Sequence, residues 1–302
     1  MSFLLYKLTG VQEVINVNRI KMIIDKCGLY IVATPIGNLK DISTRGIDTI
    51  KESDFIVCEN PKHSLKLLNN LGIKKKLISL HDYNEDIVIK KIAHKLNNKK
   101  VVLISDAGSP LISDPGFKLV KHCIVNNISI TSIPGPSSLI SGLQLSGFSL
   151  NEFYFGGFFP KTIKQMEVFV ENIVSHKQTY VFFVSNHKIK DCINLMKFKI
   201  GNRKISVCKE LTKKNEWIFR GNSHDVEKQL LENDKNTKGE FVVIVDGDDL
   251  KNKEIIDLTT HKDQIDKLLN KFSLTDVVEI VHKLSGNRKN KVYKWLLSIQ
   301  KK

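Results

Sequence analysis

No stretch of about 18 apolar residues occurs, the length a helix needs to span a bilayer, so no membrane-crossing helix is expected. The N-terminus, MSFLLYKLTGVQEVINVNRIKMI, lacks the basic start, sustained apolar run and small-residue cleavage site of a secretory signal. The expectation is a cytoplasmic protein without a membrane partner. Cysteine is scarce. The five, Cys27, Cys58, Cys123, Cys192 and Cys208, are odd in number and form no Cys-x-x-Cys pair. That argues against a disulfide framework or a zinc site and predicts buried, reduced thiols with no bound metal. No Gly-x-Gly-x-x-Gly follows the first predicted strand, and no Gly-x4-Gly-Lys-Ser/Thr occurs anywhere. An ordinary dinucleotide dehydrogenase and a P-loop NTPase are thereby disfavoured. Acidic residues are in deficit: 32 Asp and Glu face 47 Lys and Arg, a formal net charge of +15. Such an excess favours a polyanionic partner, a nucleic acid or an anionic surface.

What is present is a regular alternation. Residues 1–27 carry no clear pattern and read as an extension. From Leu29 short apolar, β-branched runs recur at 29–34, 54–59, 77–80, 101–106 and 128–133, with helical stretches at 42–52, 63–71, 85–98 and 115–126. This predicts an N-terminal α/β domain, 28–136, on a five-stranded parallel sheet. Further strands at 154–159, 179–185, 204–211, 216–220 and 240–247 follow closely, with helices at 163–175, 187–198 and 223–233. They predict a second α/β domain, 137–250, on a mixed sheet. The fold class is α/β, two domains and a small helical tail. That tail, 260–302, carries ten Lys or Arg and four acidic residues from position 261 onward, and its segments 274–286 and 290–300 flank a Gly-Asn-Arg turn.

Ligands of open parallel sheets bind at the carboxyl ends of the strands. The turns there are TPIGNLKDIS, ENPKHS, HDYNE, SDAGSPLISDPG and PGPSS, all polar and four of five containing Gly or Pro. Glycine admits close approach of backbone to a ligand and proline fixes loop shape. Pro35 and Gly37 stand in the first turn, Asp106, Ala107, Gly108 and Ser109 in the fourth, and Pro134, Gly135, Ser137 and Ser138 in the fifth. They are the candidate cofactor-binding residues. The competing reading is ordinary loop shaping, including an Asx-turn at Asp106.

Together TPIGNLKDIS (34–43), LHDYNE (80–85), SDAGSPLISDPG (105–116), PGPSS (134–138), FGGFFPK (155–161) and KGEFVVIVDG (238–247) resemble the tetrapyrrole-methylase superfamily. Within it they are most similar to the small-subunit ribosomal RNA methyltransferase I family. The resemblance implies S-adenosylmethionine as methyl donor, S-adenosylhomocysteine as product, and a homodimer. Its implied reaction is 2′-O-methylation of a decoding-centre cytidine in 16S rRNA, with the rRNA met within the 30S subunit. The chain departs from the family pattern at Asn60, where an Asp is usual before Thr-Arg, at Val184, where a Glu is usual, and at Lys209, where an Arg is usual.

Methylating a ribose hydroxyl requires alignment of the oxygen and removal of its proton. His81 is a candidate base because an imidazole commonly changes charge near neutral pH, and Glu85 is a second candidate. Lys161 is placed to offset oxyanion charge or hold a phosphate. Asp82 and Asn84 are candidates for substrate contact, Asn84 because an amide presents both a donor and an acceptor to a cytosine edge. Lys62, Arg288, Lys289 and Lys291 are candidate RNA contacts, since phosphate neutralisation supplies most non-specific affinity. Plain alternatives stand beside these: a loop-capping histidine at 81, a helix N-terminal charge at Glu85, a solvated basic face in the tail. Two other functions remain open, a tetrapyrrole-precursor methylase and a ribosome-associated RNA-binding protein without catalysis.

Overall fold

The computed structural model describes residues 27–247, 258–285, 287 and 289–300; the expected extension, save Cys27, lies outside them. The chain divides into two compact units. One runs to Gln144 and takes in Lys209–Trp217; the other holds Leu145–Cys208 and continues from Ile218.

The first unit contains β1 (Gly28–Val32), α1 (Thr44–Glu52), β2 (Phe55–Cys58), α2 (Pro61–Asn70), β3 (Leu77–Ser79), α3 (Glu85–Leu96), β4 (Lys100–Ile104), α4 (Phe117–Val125), β5 (Ile130–Ile133) and most of α5 (Ser138–Ser146). The strands form one sheet in the order β3-β2-β4-β1-β5, and every pairing between them is parallel. Alternate residues of a strand point to opposite faces. Tyr30, Val32, Ile56, Cys58, Val102 and Ile104 therefore share a core with Ile50 of α1 and Leu68 of α2. Leu29, Phe55, Val57, Val101 and Leu103 pack on the other face with Val88, Ile92 and Leu96 of α3 and Leu119 of α4. β2 is buried throughout and β1 and β4 almost so, as strands covered on both faces should be. Helix starts are written locally: Ser43 accepts the Gly46 N–H at 3.0 Å, and Asn60, followed by Pro61, accepts those of Lys62 and His63.

The second unit contains β6 (Phe153–Phe158), α6 (Ile163–Ser175), β7 (Thr179–Ser185), α7 (Ile189–Lys199), β8 (Lys204–Lys209), β9 (Trp217–Asn222), α8 (Ser223–Leu231) and β10 (Glu240–Val245). Their sheet order is β6-β7-β10-β8-β9. β6 runs parallel to β7 and β10 antiparallel to it, so the sheet is mixed. One face, Tyr180, Phe182, Val184, Ile205, Val207, Phe241, Val243 and Val245, meets Met166, Val170, Ile193, Met196, Val226 and Leu230 from α6, α7 and α8 in a single core. The tail folds as α9 (Lys262–Leu269), α10 (Leu274–Ser285) and α11 (Lys289–Gln300). It has its own core of Leu258, Ile265, Val277, Val278, Val281, Val292 and Leu296. Burying Val292 and Leu296 fully contributes on the order of 1.5–3 kcal/mol each.

Two features differ from the sequence-based expectation. The first unit ends inside α5 rather than at the PGPSS turn, because α5 continues from that turn with Leu139 and Leu143 buried. Residues 209–217, expected to belong wholly to the second domain, cluster with the first. Of the cysteines, four are buried and reduced, while Cys27 is exposed. Burial pushes the Cys123 thiol up to about 11 and raises those of Cys58 and Cys192, so none of these three is activated as a nucleophile.

Candidate active site at the carboxyl edge of the parallel sheet

Helices α1 and α2 cover one face of the first sheet and α3 and α4 the other. The adjacent strands β1 and β4 thus send their loops to opposite faces, the setting in which α/β sheets open a ligand crevice. The two loops are stitched together there. Thr34 N–H donates to the Gly108 carbonyl at 2.8 Å, and Gly108 N–H returns to the Thr34 carbonyl at 3.0 Å. The Thr34 hydroxyl donates to the Ser105 carbonyl at 3.2 Å, and the Ser105 hydroxyl to the Gly108 carbonyl at 3.2 Å. Gly108 has φ +81°, and a Cβ there would lie 3.3 Å from Ile36 Cγ2. A Cβ at Gly135 would lie 3.1 Å from Ala33 Cβ. Both glycines let the ends of β1, β4 and β5 pack closely on one another. Ala107, Pro134 and Gly135 are exposed; Pro35, Asp106, Ser109, Ser137 and Ser138 are half-buried.

The loop leaving β4 is strained. Leu111 and Ser113 have φ of 73° and 68°, and Gly116 of 125°, a conformation that side chains resist. It carries Asp114, which sequence reasoning passed over. Burial, then the Glu59 carboxylate and the Asp106 carboxylate, push Asp114 up to about 6, against an opposing hydrogen bond from Ser105. Burial, then Asp106 and Asp82, raise Glu59 as well. The ends of β2, β3 and β4 thus concentrate negative potential at one edge. The available sequence signal was the repeated Ser-Asp dipeptide, 105–106 and 113–114, on one loop. Among the described residues no group of three His, Cys, Asp or Glu is arranged to hold a metal ion. Asp106 Oδ1 accepts the Asn60 N–H at 3.3 Å, joining the β4 loop to the start of α2.

The loop after β3 is held by Asn84. Its side-chain carbonyl accepts the His81 N–H at 2.8 Å, its amide donates to the Ser79 carbonyl at 3.2 Å, and its own N–H donates to the His81 carbonyl at 2.9 Å. His81, Asp82 and Tyr83 are exposed at the tip, and Tyr83 is 95% exposed. Glu85 turns inward. It is 4% exposed, and its Oε1 accepts the N–H groups of Lys118 and Leu119 at 3.0 and 3.3 Å. The N-cap of α4 is Gly116, which has no side chain to do this. Glu85 therefore caps α4 from a distance and is committed to backbone, unlike His81.

Gly37 serves a different neighbour than expected. A Cβ there would lie 2.4 Å from Lys213 Cγ and 2.8 Å from Thr212 Oγ1, and Asn38 N–H donates to that hydroxyl at 3.1 Å. The segment 209–217 is thus seated on the first turn. It is knit by the Thr212 N–H to Glu216 at 2.6 Å and the Lys213–Glu210 ion pair at 2.9 Å.

The family departures have local explanations. Asn60 is the N-cap of α2, a task Asn and Asp perform equally. Val184 is 2% exposed in an apolar core. Lys209 is 6% exposed at the end of β8. Lys62 is exposed in the first turn of α2, and Lys161 is exposed just past β6 in the second unit. In the tail, Lys289 pairs with Glu279 at 2.7 Å, Lys291 is exposed, and Arg288 lies outside the described residues.

This fold is shared. Uroporphyrin-III-C-methyltransferase from Thermus thermophilus superposes with a TM-score of 0.51 at 13% identity, covering 73% of this chain and 94% of that one. A diphthine synthase superposes at 0.54 and 15% identity, covering 72% and 89%. The two units are those of an α/β methylase. Residues 28–227 match the family described as Tetrapyrrole (Corrin/Porphyrin) Methylases, and the chain belongs to it. It is 40% identical over 224 residues to ribosomal RNA small subunit methyltransferase I of Halalkalibacterium halodurans, covering 74% of this chain and 77% of that protein. To the protein of that name from Haemophilus influenzae it is 38% identical over 273 residues, covering 89% and 96%. S-adenosylmethionine is the cofactor that goes with this family. Exposed Ala107, Pro134 and Gly135 beside half-buried Ser109, Ser137 and Ser138 at these strand ends fit a nucleoside lying along the loops.

Proposed function

We propose that this chain methylates the ribose 2′-oxygen of a decoding-centre cytidine in 16S rRNA. The substrate is the assembled 30S subunit and the working form is a cytoplasmic homodimer. The observation that carries this reading is the identity of 40% and 38% to two relatives named ribosomal RNA small subunit methyltransferase I, one of them matched over 96% of its length. The +15 net charge suits a phosphate-rich substrate. Among the described residues no helix is long and apolar enough to cross a membrane.

Bound S-adenosylmethionine supplies a methyl group on a sulfonium, ready for displacement by an oxygen. Asp106, Ala107, Ser109, Pro134, Gly135, Ser137 and Ser138 would hold it, with Pro35 and the Thr34–Gly108 pairing shaping the floor. His81 stands at the exposed tip of a loop whose backbone Asn84 fixes, and it takes the proton of the ribose hydroxyl. Asp82 orients the substrate beside it. Glu85, caught between two helical N–H groups, serves architecture and not proton transfer. Lys161 and Lys62 meet phosphate. Transfer of tritiated methyl to 30S subunits, free 16S rRNA and a tetrapyrrole precursor, compared side by side, tests the reading. Label in rRNA supports it, and label in the tetrapyrrole alone rejects it.

A further inference from the structure

The lysines of the tail are not equivalent. Glu279 of α10 is gripped at both oxygens, by Lys289 at 2.7 Å and Lys283 at 3.1 Å. These two ammonium groups hold its carboxyl at about 2, so it stays ionised and offsets one of the two positive charges on that side of the tail. On α11 the pattern reverses. Val292 and Leu296 are fully buried in the tail core, with Trp295 and Ile299 packed against it. At 100° per residue the side opposite that core carries Asn290, Lys294 and Leu297, with Tyr293 on one flank and Lys291 and Ser298 on the other. Asn290, Lys291, Lys294 and Ser298 are exposed, and Tyr293 is 43% exposed. No carboxylate lies on this helix, and among the described residues none pairs with Lys291 or Lys294.

This arrangement is unfavourable for the isolated helix. Lys289 and Lys291 occupy its first turn, where the macrodipole disfavours cations, and Lys291 and Lys294 repel at a spacing of three. Polyanion relieves both. The solvent side of the helix thus offers a strand crossing it an aromatic ring on one flank, an amide and an ammonium group in the middle and a second ammonium group on the other flank, a set that suits a single-stranded nucleic acid. The ring takes a base, the ammonium groups take phosphates, and the amide reaches a base edge. We infer that the solvent side of α11 is a single-stranded rRNA contact in which Tyr293 stacks on an unpaired base and Lys294 and Lys291 hold phosphates farther along the strand as it crosses the helix. Lys289, already paired with Glu279, contributes less. The inference rests on the rRNA reading above and adds which strand form is met and by which side chains.

The test is fluorescence anisotropy of the full-length protein with a labelled single-stranded oligoribonucleotide, titrated across salt. An RNA duplex of the same sequence and phosphatidylglycerol vesicles serve as comparison arms. Tyr293→Ala is expected to weaken single-strand binding about tenfold or more while leaving the salt slope unchanged. Tyr293→Phe is expected to keep wild-type affinity. The double variant Lys291→Ala/Lys294→Ala is expected to flatten the logarithmic salt slope by about 1.4, two single-strand phosphates at about 0.7 each. Lys289→Ala should change it by less than half of that. Each variant's melting temperature checks the fold, which exposed positions on one helix leave intact. A Tyr293→Ala affinity within twofold of wild type, or an unflattened slope in the double variant, overturns the inference. So does equal loss on duplex RNA, or dependence on Lys291 and Lys294 only with vesicles. Wild type that methylates rRNA yet shows such results refutes this surface alone. Wild type that neither binds nor methylates RNA refutes the underlying function as well.

Discussion

Thr34 and Gly108 exchange two backbone hydrogen bonds, 2.8 and 3.0 Å, and so fasten the loop after β4 to the end of β1. Gly108 thus spends its own N–H and carbonyl on the protein, and the space its missing Cβ leaves lies against Ile36. At φ +81° and 3.3 Å from Ile36 Cγ2, a side chain is opposed by both backbone and packing. Gly108→Ala should cost about 1–2 kcal/mol from the left-handed backbone and weaken S-adenosylhomocysteine binding in calorimetry. Gly108→Val, with a branched side chain, should destabilise further. A Gly108→Ala protein with wild-type melting temperature contradicts this.

Glu85 and His81 should separate stability from chemistry. Glu85→Gln removes a charge from the N-terminus of α4 and should cost about 1–2 kcal/mol, with turnover within about threefold of wild type well below the melting temperature. His81→Ala changes an exposed side chain, so the melting temperature should hold while turnover falls by about 100-fold or more. Lost turnover in a fully stable Glu85→Gln protein would return the base to Glu85.

Asp114 predicts a pH signature. Its native carboxyl titrates at about 6, above the ordinary 3.8, so the native state binds the proton more tightly than the unfolded chain. The resulting destabilisation is fully present above pH 6 and is relieved as pH falls from about 6 toward 3.8. Asp114→Asn should melt higher than wild type at pH 7.5, and the gap should close by pH 4. A gap independent of pH would show that burial of Asp114 has no electrostatic cost.

Asn60 tests whether a departure from the family matters. As an N-cap, Asn60→Ala should cost about 1 kcal/mol, while Asn60→Asp keeps the cap. Urea unfolding reads the first effect, and both variants should retain turnover. If Asn60→Asp raises turnover severalfold, the residue has a chemical role that capping does not describe.

Most strands were legible because they are nearly continuous apolar runs, as at Leu29 to Ile31, Val101 to Ile104 and Phe241 to Val245. The ligand edge was legible because Gly and Pro recur after several strands. What escaped reading depends on partners distant in sequence. Glu85 looks like a free carboxylate until Lys118 and Leu119, 33 and 34 residues on, present their N–H groups. Nothing near Gly37 in the sequence announces Thr212 and Lys213, which pack where its Cβ would stand. Positive φ at Leu111, Ser113, Glu210 and Thr212 leaves no trace in residue type. Lys289 and Lys291 read alike, yet only Lys289 meets Glu279.

The central claim is the atom that receives the methyl group. Incubating the protein with 30S subunits and S-adenosylmethionine, then digesting the 16S rRNA to nucleosides for mass spectrometry, measures it directly. The account predicts a gain of one 2′-O-methylcytidine per subunit, absent with His81→Ala. A base-methylated nucleoside, or no new methylation of the rRNA, would contradict it.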